Sequence, residues 1–189
     1  MQSTARSYWE NNPEVASKDQ WTGNPLIAES VYRQMSGGAS SHHWLTWLMR
    51  EHFNGRRFAR VLSAGCGVGD HEIALMSFGT IAQLDAFDFS EASLRLARQK
   101  AAEKRLKIDF YRDDINSFEV RGGRKYDMIF CSGSVHHVRE LERFLRLVRD
   151  SLTSDGVFVF NECLELLFRL ELKLGQLLGV RFDVVGDNP

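Results

Sequence analysis

The chain has 189 residues, 43% of them hydrophobic and 26% charged, and 24 lysines and arginines balance 25 aspartates and glutamates. That length is typical of one globular domain with a substantial core. The near-zero net charge argues against nucleic acid as a partner, because a general backbone binder needs a basic surplus. The 3 cysteines show no ligand spacing, so neither a disulfide framework nor a metal site is expected. Without an apolar signal core or a run of transmembrane length, we predict a cytoplasmic protein with no membrane contact.

Residues 1–57 are predicted to form a helical cap that precedes the core. After an irregular lead-in, Asn24-Pro25 is typical of a helix start and Gly37-Gly38 of a helix end. Apolar residues at helical spacing predict a second helix from Ser41 to Phe53, which Asn54-Gly55 ends.

From residue 58 to residue 162, strand patterns alternate with helix patterns. The predicted strands are an apolar run through Val61 and Leu62, then Ile81 to Phe89, Lys107 to Arg112, Tyr126 to Cys131 and Val157 to Phe160. The clearest helix is predicted over residues 138–152, and Asp155-Gly156 is predicted to turn into a fifth strand buried on both faces. This alternation predicts an α/β fold with a doubly wound, mostly parallel sheet.

Three glycines follow the first strand at alternate positions, Gly65, Gly67 and Gly69, and a helix pattern opens directly after them. A strand, a glycine turn and a helix form a cradle for a nucleotide-like ligand, because glycine lets a ligand approach the backbone. The dinucleotide fingerprint Gly-x-Gly-x-x-Gly needs its third glycine where Asp70 stands, and no Gly-Lys-Ser/Thr follows. An acid at that place also disfavours an anion. We therefore expect a ligand without phosphates.

Acidic residues recur at successive predicted strand ends. Asp88 ends the second strand, where a carboxylate can accept both hydroxyls of a ribose, and Asp114-Ile115 follows the third strand. Taken singly, each Asp is better explained as an exposed strand-end carboxylate, and Ile115 as a core residue. Together they favour an adenosine ligand, because that edge is where open α/β sheets bind ligands.

These motifs resemble those of class I S-adenosylmethionine-dependent methyltransferases, specifically the small-molecule branch of type 11/12. The resemblance covers roughly residues 58 to 162, and its motifs occur in family order at residues 61–69, 87–90, 113–115, 126–130, 132–137 and 152–156. It implies S-adenosylmethionine as the cofactor. It also implies a set of cofactor-binding residues: Gly65, Cys66 and Gly67 at the methionine part, Asp88 at the ribose, Phe89, Asp114 and Ile115 around the adenine, and Ser132 near the sulfonium.

The sequence departs from the family at two places. Ser63 stands where the family usually has an acid, which weakens a water-mediated hold on the ligand's amino group. Residues 163–189 diverge: they predict a Leu-rich helix from Glu165 to Leu178 and one further strand, so that the last strand of the sheet is missing.

The catalytic candidate is His137, just beyond the fourth strand. A sulfonium methyl is already activated, so a site must mainly position the nucleophile, and a hydroxyl also needs a base. His137 matches the family's position for that base, and the alternative is that it orients the following helix. We assign His136 a structural role. Glu162 either binds substrate or joins a loop hydrogen bond.

The predicted function is methyl transfer from S-adenosylmethionine to an oxygen or nitrogen of a small molecule. Two alternatives are a nucleic-acid methyltransferase, disfavoured by charge and by Cys-Ser-Gly-Ser after the fourth strand, and a non-catalytic S-adenosylmethionine-binding module. A nicotinamide oxidoreductase is a more distant third. The substrate's identity and the oligomeric state do not follow from the sequence.

Overall fold

The structure is a computed structural model, and it describes residues 43–162 together with 29, 30, 32, 33, 36 and 38. The first predicted helix lies mostly outside the described residues, although positions 29, 30, 32 and 33 are helical. The predicted C-terminal helix and strand lie entirely outside them. No helix in the described part has the length and apolar character to cross a membrane.

In the part of the chain that the structure describes, five parallel strands form the sheet. They are β1 (Phe58–Ala64), β2 (Ile81–Asp88), β3 (Asp109–Arg112), β4 (Tyr126–Ser132) and β5 (Leu152–Asn161). Their order is β3-β2-β1-β4-β5, and every neighbouring pair is parallel. The chain builds outward from β1 to β3 and then returns to the other side of β1, so the order reverses between β1 and β4. The predicted doubly wound α/β sheet is confirmed.

Helices and short turns connect the strands. The helices are α1 (Trp44–Trp47), which continues as a π-helical turn at Leu48–His52, α2 (Asp70–Ser77), α3 (Glu91–Glu103) and α4 (Leu141–Ser151). Short 3₁₀ turns occupy Arg121–Gly123 and Val135–His137. Between β3 and β4 the chain therefore crosses with a 3₁₀ turn in place of an α-helix.

The helix starts have local causes. Gly69 adopts a left-handed conformation directly before α2, with φ of 78°. The Ser90 side chain caps α3 by accepting a hydrogen bond from the Ser93 amide at 3.2 Å. α4 begins at Leu141, later than the predicted residue 138, because Val138 is extended after the preceding 3₁₀ turn.

The core lies on both faces of the sheet. Successive β1 residues point to opposite faces, so Val61 joins one cluster and Leu62 the other. The first cluster includes Leu94 of α3, and the second includes Leu145 of α4, each 0% exposed. Burying a leucine side chain of this kind stabilises the fold by about 1.5–3 kcal/mol. This packing fixes the sheet edge at which the strands end.

β5 differs from its prediction in two ways. It begins at Leu152, and the predicted Asp155-Gly156 turn lies inside a bulge where the register with β4 shifts between Tyr126 and Met128. Its predicted burial on both faces is wrong, because residues 157–160 are half-buried and β5 is an outer strand among the five described.

Candidate functional site

The glycine turn joins β1 to α2 at the carboxyl edge of the sheet. Gly65, Gly67 and Gly69 all have positive φ, of 77°, 52° and 78°. A Cβ on Gly65 would lie 2.5 Å from the Cβ of Ser134, and one on Gly69 would lie 2.8 Å from that of Ala97. A Cβ on Gly67 would meet nothing within 4 Å. Gly67 is therefore the position at which the turn presents bare backbone to open space.

Asp88 ties the end of β2 to this turn. Its Oδ2 accepts a hydrogen bond from the Gly67 amide at 2.9 Å, and its Oδ1 accepts one from the Ser90 amide at 2.8 Å. Asp88 is 8% exposed, and burial raises the pKa of its carboxyl. Each oxygen has lone-pair capacity beyond its one backbone donor. The group fits a ligand that brings hydroxyl donors, and its ribose role stays a prediction.

The segment after β3 lies beside the end of β2, where the Asp113 amide donates to the Asp88 carbonyl at 3.1 Å. Asp114 is exposed, and its Oδ1 accepts hydrogen bonds from the amide and the side chain of Asn116, at 2.9 and 3.3 Å. Ile115 packs against the second core cluster. The Asn116 side chain donates to the His137 carbonyl and accepts from the Arg139 amide, at 3.2 and 2.9 Å. No sequence pattern marked Asn116, yet it connects the segment after β3 with the segment after β4.

The remaining predicted cofactor residues are partly accessible. Cys66, Phe89 and Ser132 are all half-buried, with Phe89 directly after β2 and Ser132 at the end of β4. Burial raises the pKa of the Cys66 thiol well above its usual value, which makes this thiol a poor nucleophile at neutral pH. The roles of these three residues stay predictions.

Ser63 and Glu72 form a buried pair behind the turn. Ser63 donates a hydrogen bond to Oε1 of Glu72 at 2.6 Å, and the two residues are 1% and 2% exposed. Oε2 of Glu72 has no hydrogen-bond partner among the described residues. Burial is the main cause that raises the pKa of Glu72 to about 7. Ser63 replaces the acid that the family usually has at this position, but α2 brings the Glu72 carboxyl group to the Ser63 side chain. An acidic group is therefore present there after all.

Asp70 is the first residue of α2 and lies toward α3. Its carboxylate forms a 2.7 Å salt bridge with Lys100, and both side chains are exposed. This pairing weakens the charge argument against a phosphate ligand. The argument from the missing third glycine is unaffected.

Two histidines follow β4. Their rings are neighbours, with centroids 4.0 Å apart, and both residues are exposed. Nδ1 of His136 lies 2.9 Å from Oε2 of Glu162, and Oε1 of Glu162 accepts hydrogen bonds from the Ser134 and Val135 amides at 2.7 and 2.5 Å. The hydrogen bond with Glu162 raises the pKa of His136, whereas burial and the neighbouring His136 lower that of His137. Of the two alternatives for Glu162, the loop hydrogen bond is confirmed.

A cavity of about 610 Å³ lies at the opposite edge of the sheet. It is lined by residues at the amino ends of the strands, including Arg56, Phe58, Ile81 and Asp127. Open α/β sheets bind ligands at the carboxyl ends of their strands, near the point where the strand order reverses. The glycine turn, Asp88 and the two histidines lie at that edge, so we place the candidate site there.

Comparisons with a family model and with curated relatives show what the chain is similar to. The family model described as "Methyltransferase domain" matches residues 61–156, just over half of the chain. The malonyl-[acyl-carrier protein] O-methyltransferase of Bacillus cereus is 24% identical over 119 residues, which are 63% of this chain and 43% of the relative. The ubiquinone biosynthesis O-methyltransferase of Pasteurella multocida is 29% identical over 117 residues, 57% of this chain and 48% of the relative. The chain thus spans less than half the length of these two relatives.

A solved structure shares the fold. The S-adenosylmethionine-dependent methyltransferase of Clostridium acetobutylicum superposes with a TM-score of 0.56 at 23% identity, covering 69% of this chain and 54% of that one. The resemblance predicted from the motifs is confirmed by these findings.

Proposed function

Because the chain belongs to the methyltransferase domain family, we propose that it transfers the methyl group of S-adenosylmethionine to an oxygen or nitrogen of a small molecule. The observation that carries the proposal is the pairing of Gly67 with Asp88: an open backbone position and a carboxylate meet at the end of β2. This arrangement fits an adenosine ligand. When bound, S-adenosylmethionine supplies an electrophilic methyl group on a sulfonium.

Different residues at the carboxyl edge of the sheet would bind different parts of that ligand. Gly65, Cys66 and Gly67 would bind the methionine part through their backbone, Asp88 would hold the ribose, Phe89, Asp114 and Ile115 would flank the adenine, and Ser132 would lie near the sulfonium. The half-buried surroundings of the turn would exclude part of the water from a bound ligand. The two histidines after β4 are the candidate bases, and His137 is the one that the family pattern favours.

The substrate class is part of the proposal. The two curated relatives are O-methyltransferases by name, which supports an oxygen acceptor. The name of the second, a ubiquinone biosynthesis O-methyltransferase, also supports a small-molecule acceptor. We also propose a cytoplasmic location, which agrees with Cys66 and Cys131 being free thiols.

Ligand binding tests the cofactor assignment first. Calorimetry with S-adenosylhomocysteine should show binding, and its absence at high micromolar ligand would contradict the proposal. Asp88→Ala should weaken binding at least tenfold, while Asp109→Asn, at the exposed start of β3, should not.

A ligand analogue distinguishes a direct contact between Asp88 and the ribose from an effect of Asp88 on the conformation of the loop. Because Asp88 also bonds to two loop amides, its replacement could act through the loop alone. The wild-type protein should prefer S-adenosylhomocysteine to its 2′-deoxy analogue at least tenfold, and Asp88→Ala, which leaves no side-chain acceptor, should abolish that preference. An undiminished preference in the variant would remove the ribose assignment.

Turnover tests the activity itself. S-Adenosylhomocysteine should form from S-adenosylmethionine with at least one of catechol, malonyl-N-acetylcysteamine and benzylamine, which offer a phenol, a carboxyl and an amine. Binding without turnover on this panel would favour the non-catalytic binding module.

A further inference from the structure

Besides the glycine turn, the candidate site contains a contact between the His136 imidazole and the Glu162 carboxylate. We propose that the His136 imidazole, held by Glu162, accepts the proton of a hydroxyl group during methyl transfer, and that the acceptor is therefore a hydroxyl-bearing small molecule. This inference rests on the proposed methyl-transfer function. It assigns the base to His136 in place of His137.

The Glu162 carboxylate is held rigidly. It follows β5, its side chain is 1% exposed, and its Oε1 accepts two backbone amides from the turn after β4, those of Ser134 and Val135. Ser134 is itself fixed, since its hydroxyl donates to the Ala64 carbonyl at 2.7 Å. The second carboxylate oxygen is thereby aimed at Nδ1 of His136, 2.9 Å away. A side chain immobilised by two amides orients an imidazole more accurately than a mobile surface acid could.

This contact determines which imidazole nitrogen is basic. An ionised carboxylate only accepts hydrogen bonds, so it selects the neutral His136 tautomer with the proton on Nδ1. Nε2 then carries the free lone pair. The His136 side chain is 43% exposed, so Nε2 can be reached from outside. The carboxylate also stabilises the imidazolium that forms when Nε2 takes a proton.

His136 and Glu162, here called the dyad, lie on the side of the site away from most of the predicted cofactor residues, of which only Ser132 stands on β4. The cradle is built from the ends of β1, β2 and β3, through Gly67, Asp88 and Asp114. His136 and Glu162 follow β4 and β5, on the other side of the point where the strand order reverses. A ligand in the cradle and an acceptor beside the dyad would thus meet across that point.

The charges around His136 favour proton uptake there. The titratable groups that face its ring, within the part of the chain that the structure describes, are Glu162 and His137. The hydrogen bond with Glu162 raises the pKa of His136, while burial lowers the pKa of His137. His137 is therefore the weaker base of the two, because the charge of Glu162 raises its pKa less than burial and the neighbouring His136 lower it.

The step balances without any further reactant. The acceptor oxygen forms a bond to the methyl carbon as the carbon–sulfur bond breaks, and that electron pair stays on sulfur. The hydroxyl proton moves to Nε2 of His136. The products are a methylated oxygen, S-adenosylhomocysteine and an imidazolium that later returns its proton to water.

The tautomer is tested without cofactor or turnover. Glutamine at position 162 can still accept both loop amides through its carbonyl oxygen, but its NH₂ would donate to Nδ1 and so move the proton to Nε2. Nitrogen-15 NMR of the histidine rings should show Nδ1–H for His136 in the wild-type protein, Nε2–H in Glu162→Gln, and a pKa lower by at least half a unit in that variant. A His136 ring with the same tautomer and pKa in both proteins would overturn the inference.

Turnover provides the second readout. With a hydroxyl acceptor that the wild-type protein methylates, His136→Gln should reduce kcat at least hundredfold and leave the Kd for S-adenosylhomocysteine within twofold. Glu162→Gln should reduce kcat and remove the rise of kcat with pH that follows loss of the imidazolium proton. His52→Gln, on the π-helical turn outside the site, is the matched control and should change neither constant.

The outcomes distinguish the inference from the function on which it rests. Normal kcat in His136→Gln, or loss of kcat in His137→Gln alone, overturns the inference and leaves methyl transfer intact. Methylation of benzylamine but of no hydroxyl acceptor also overturns it. Failure of the wild-type protein to bind S-adenosylhomocysteine overturns the proposed function, and the NMR measurement still decides whether Glu162 sets the His136 tautomer.

Discussion

The buried carboxyl of Glu72 should make the stability of this protein decrease as the pH rises. Ser63 satisfies one of its oxygens, whereas the other has no hydrogen-bond partner among the described residues. Burial is the first cause that raises the pKa of Glu72 from 4.5 to about 7. The folded protein therefore binds a proton at pH values where the unfolded chain has already released it.

The expected magnitude follows from this shift. Each pKa unit corresponds to 1.36 kcal/mol, so the full shift destabilises the fold by about 3 kcal/mol once the pH exceeds the folded pKa. Because the folded pKa is raised, stability is lost between the unfolded value of 4.5 and about 7 and then levels off. The loss attributable to this group is about 1 kcal/mol at pH 5 and about 3 kcal/mol at pH 8.

Glu72→Gln removes the ionisation and keeps the shape of the side chain. Urea unfolding without ligand, followed by tryptophan fluorescence at pH 5, 6, 7 and 8, measures the free energy of unfolding of both proteins. The variant's advantage over the wild-type protein should grow by about 2 kcal/mol from pH 5 to pH 8. Other titrating groups, such as His71, contribute to both proteins and cancel in this comparison.

A glutamate that is exposed in the folded protein is the matched control. Glu103 lies in the last turn of α3 and is exposed, so Glu103→Gln should change stability by a small amount that does not vary with pH. A stability difference between wild type and Glu72→Gln that is constant from pH 5 to pH 8 would refute the reasoning.

Three further substitutions, and one control substitution at Gly79, test the packing that positions the site. Gly65→Ala should destabilise the fold by roughly 2–4 kcal/mol in urea unfolding, because φ is positive and the new Cβ meets Ser134 at 2.5 Å. Gly79→Ala, with positive φ but open space, should cost only about 1–2 kcal/mol, and equal losses for the two would contradict the close approach. Asp127→Ala should cost about 1–3 kcal/mol by the same measurement, because Oδ2 of Asp127 accepts two β1 amides at 2.6 and 3.0 Å, and an unchanged midpoint would show that water replaces it. Leu94→Ala, at a position 0% exposed, should cost about 2–5 kcal/mol and lower the Tm, and a smaller loss would mean that the core collapses around the cavity.

The features that were predictable from the sequence are those with local causes. The alternation of strand and helix patterns predicted the doubly wound sheet, since hydrophobic periodicity depends only on which face each residue buries. The glycine turn and the carboxylates at the strand ends predicted that these residues share one edge of the sheet, because parallel strands bring their carboxyl ends together. Even here Gly65, Gly67 and Gly69 looked alike, and only the structure distinguished the two that avoid a neighbouring element from Gly67, which faces open space.

The features that only the tertiary structure decided depend on contacts between distant residues. The identity of Ser63 suggested that an acidic group had been lost from this position. The packing of α2 against β1, however, brings Oε1 of Glu72 to 2.6 Å from the Ser63 hydroxyl. The sequence predicted only a structural role for His136. The structure shows that the Glu162 carboxylate, at the end of β5, lies beside Nδ1 of His136. The bulge in β5 also depends on its register with β4. Sequence periodicity records which face a residue occupies, whereas these contacts arise from how separate strands and helices are aligned against one another.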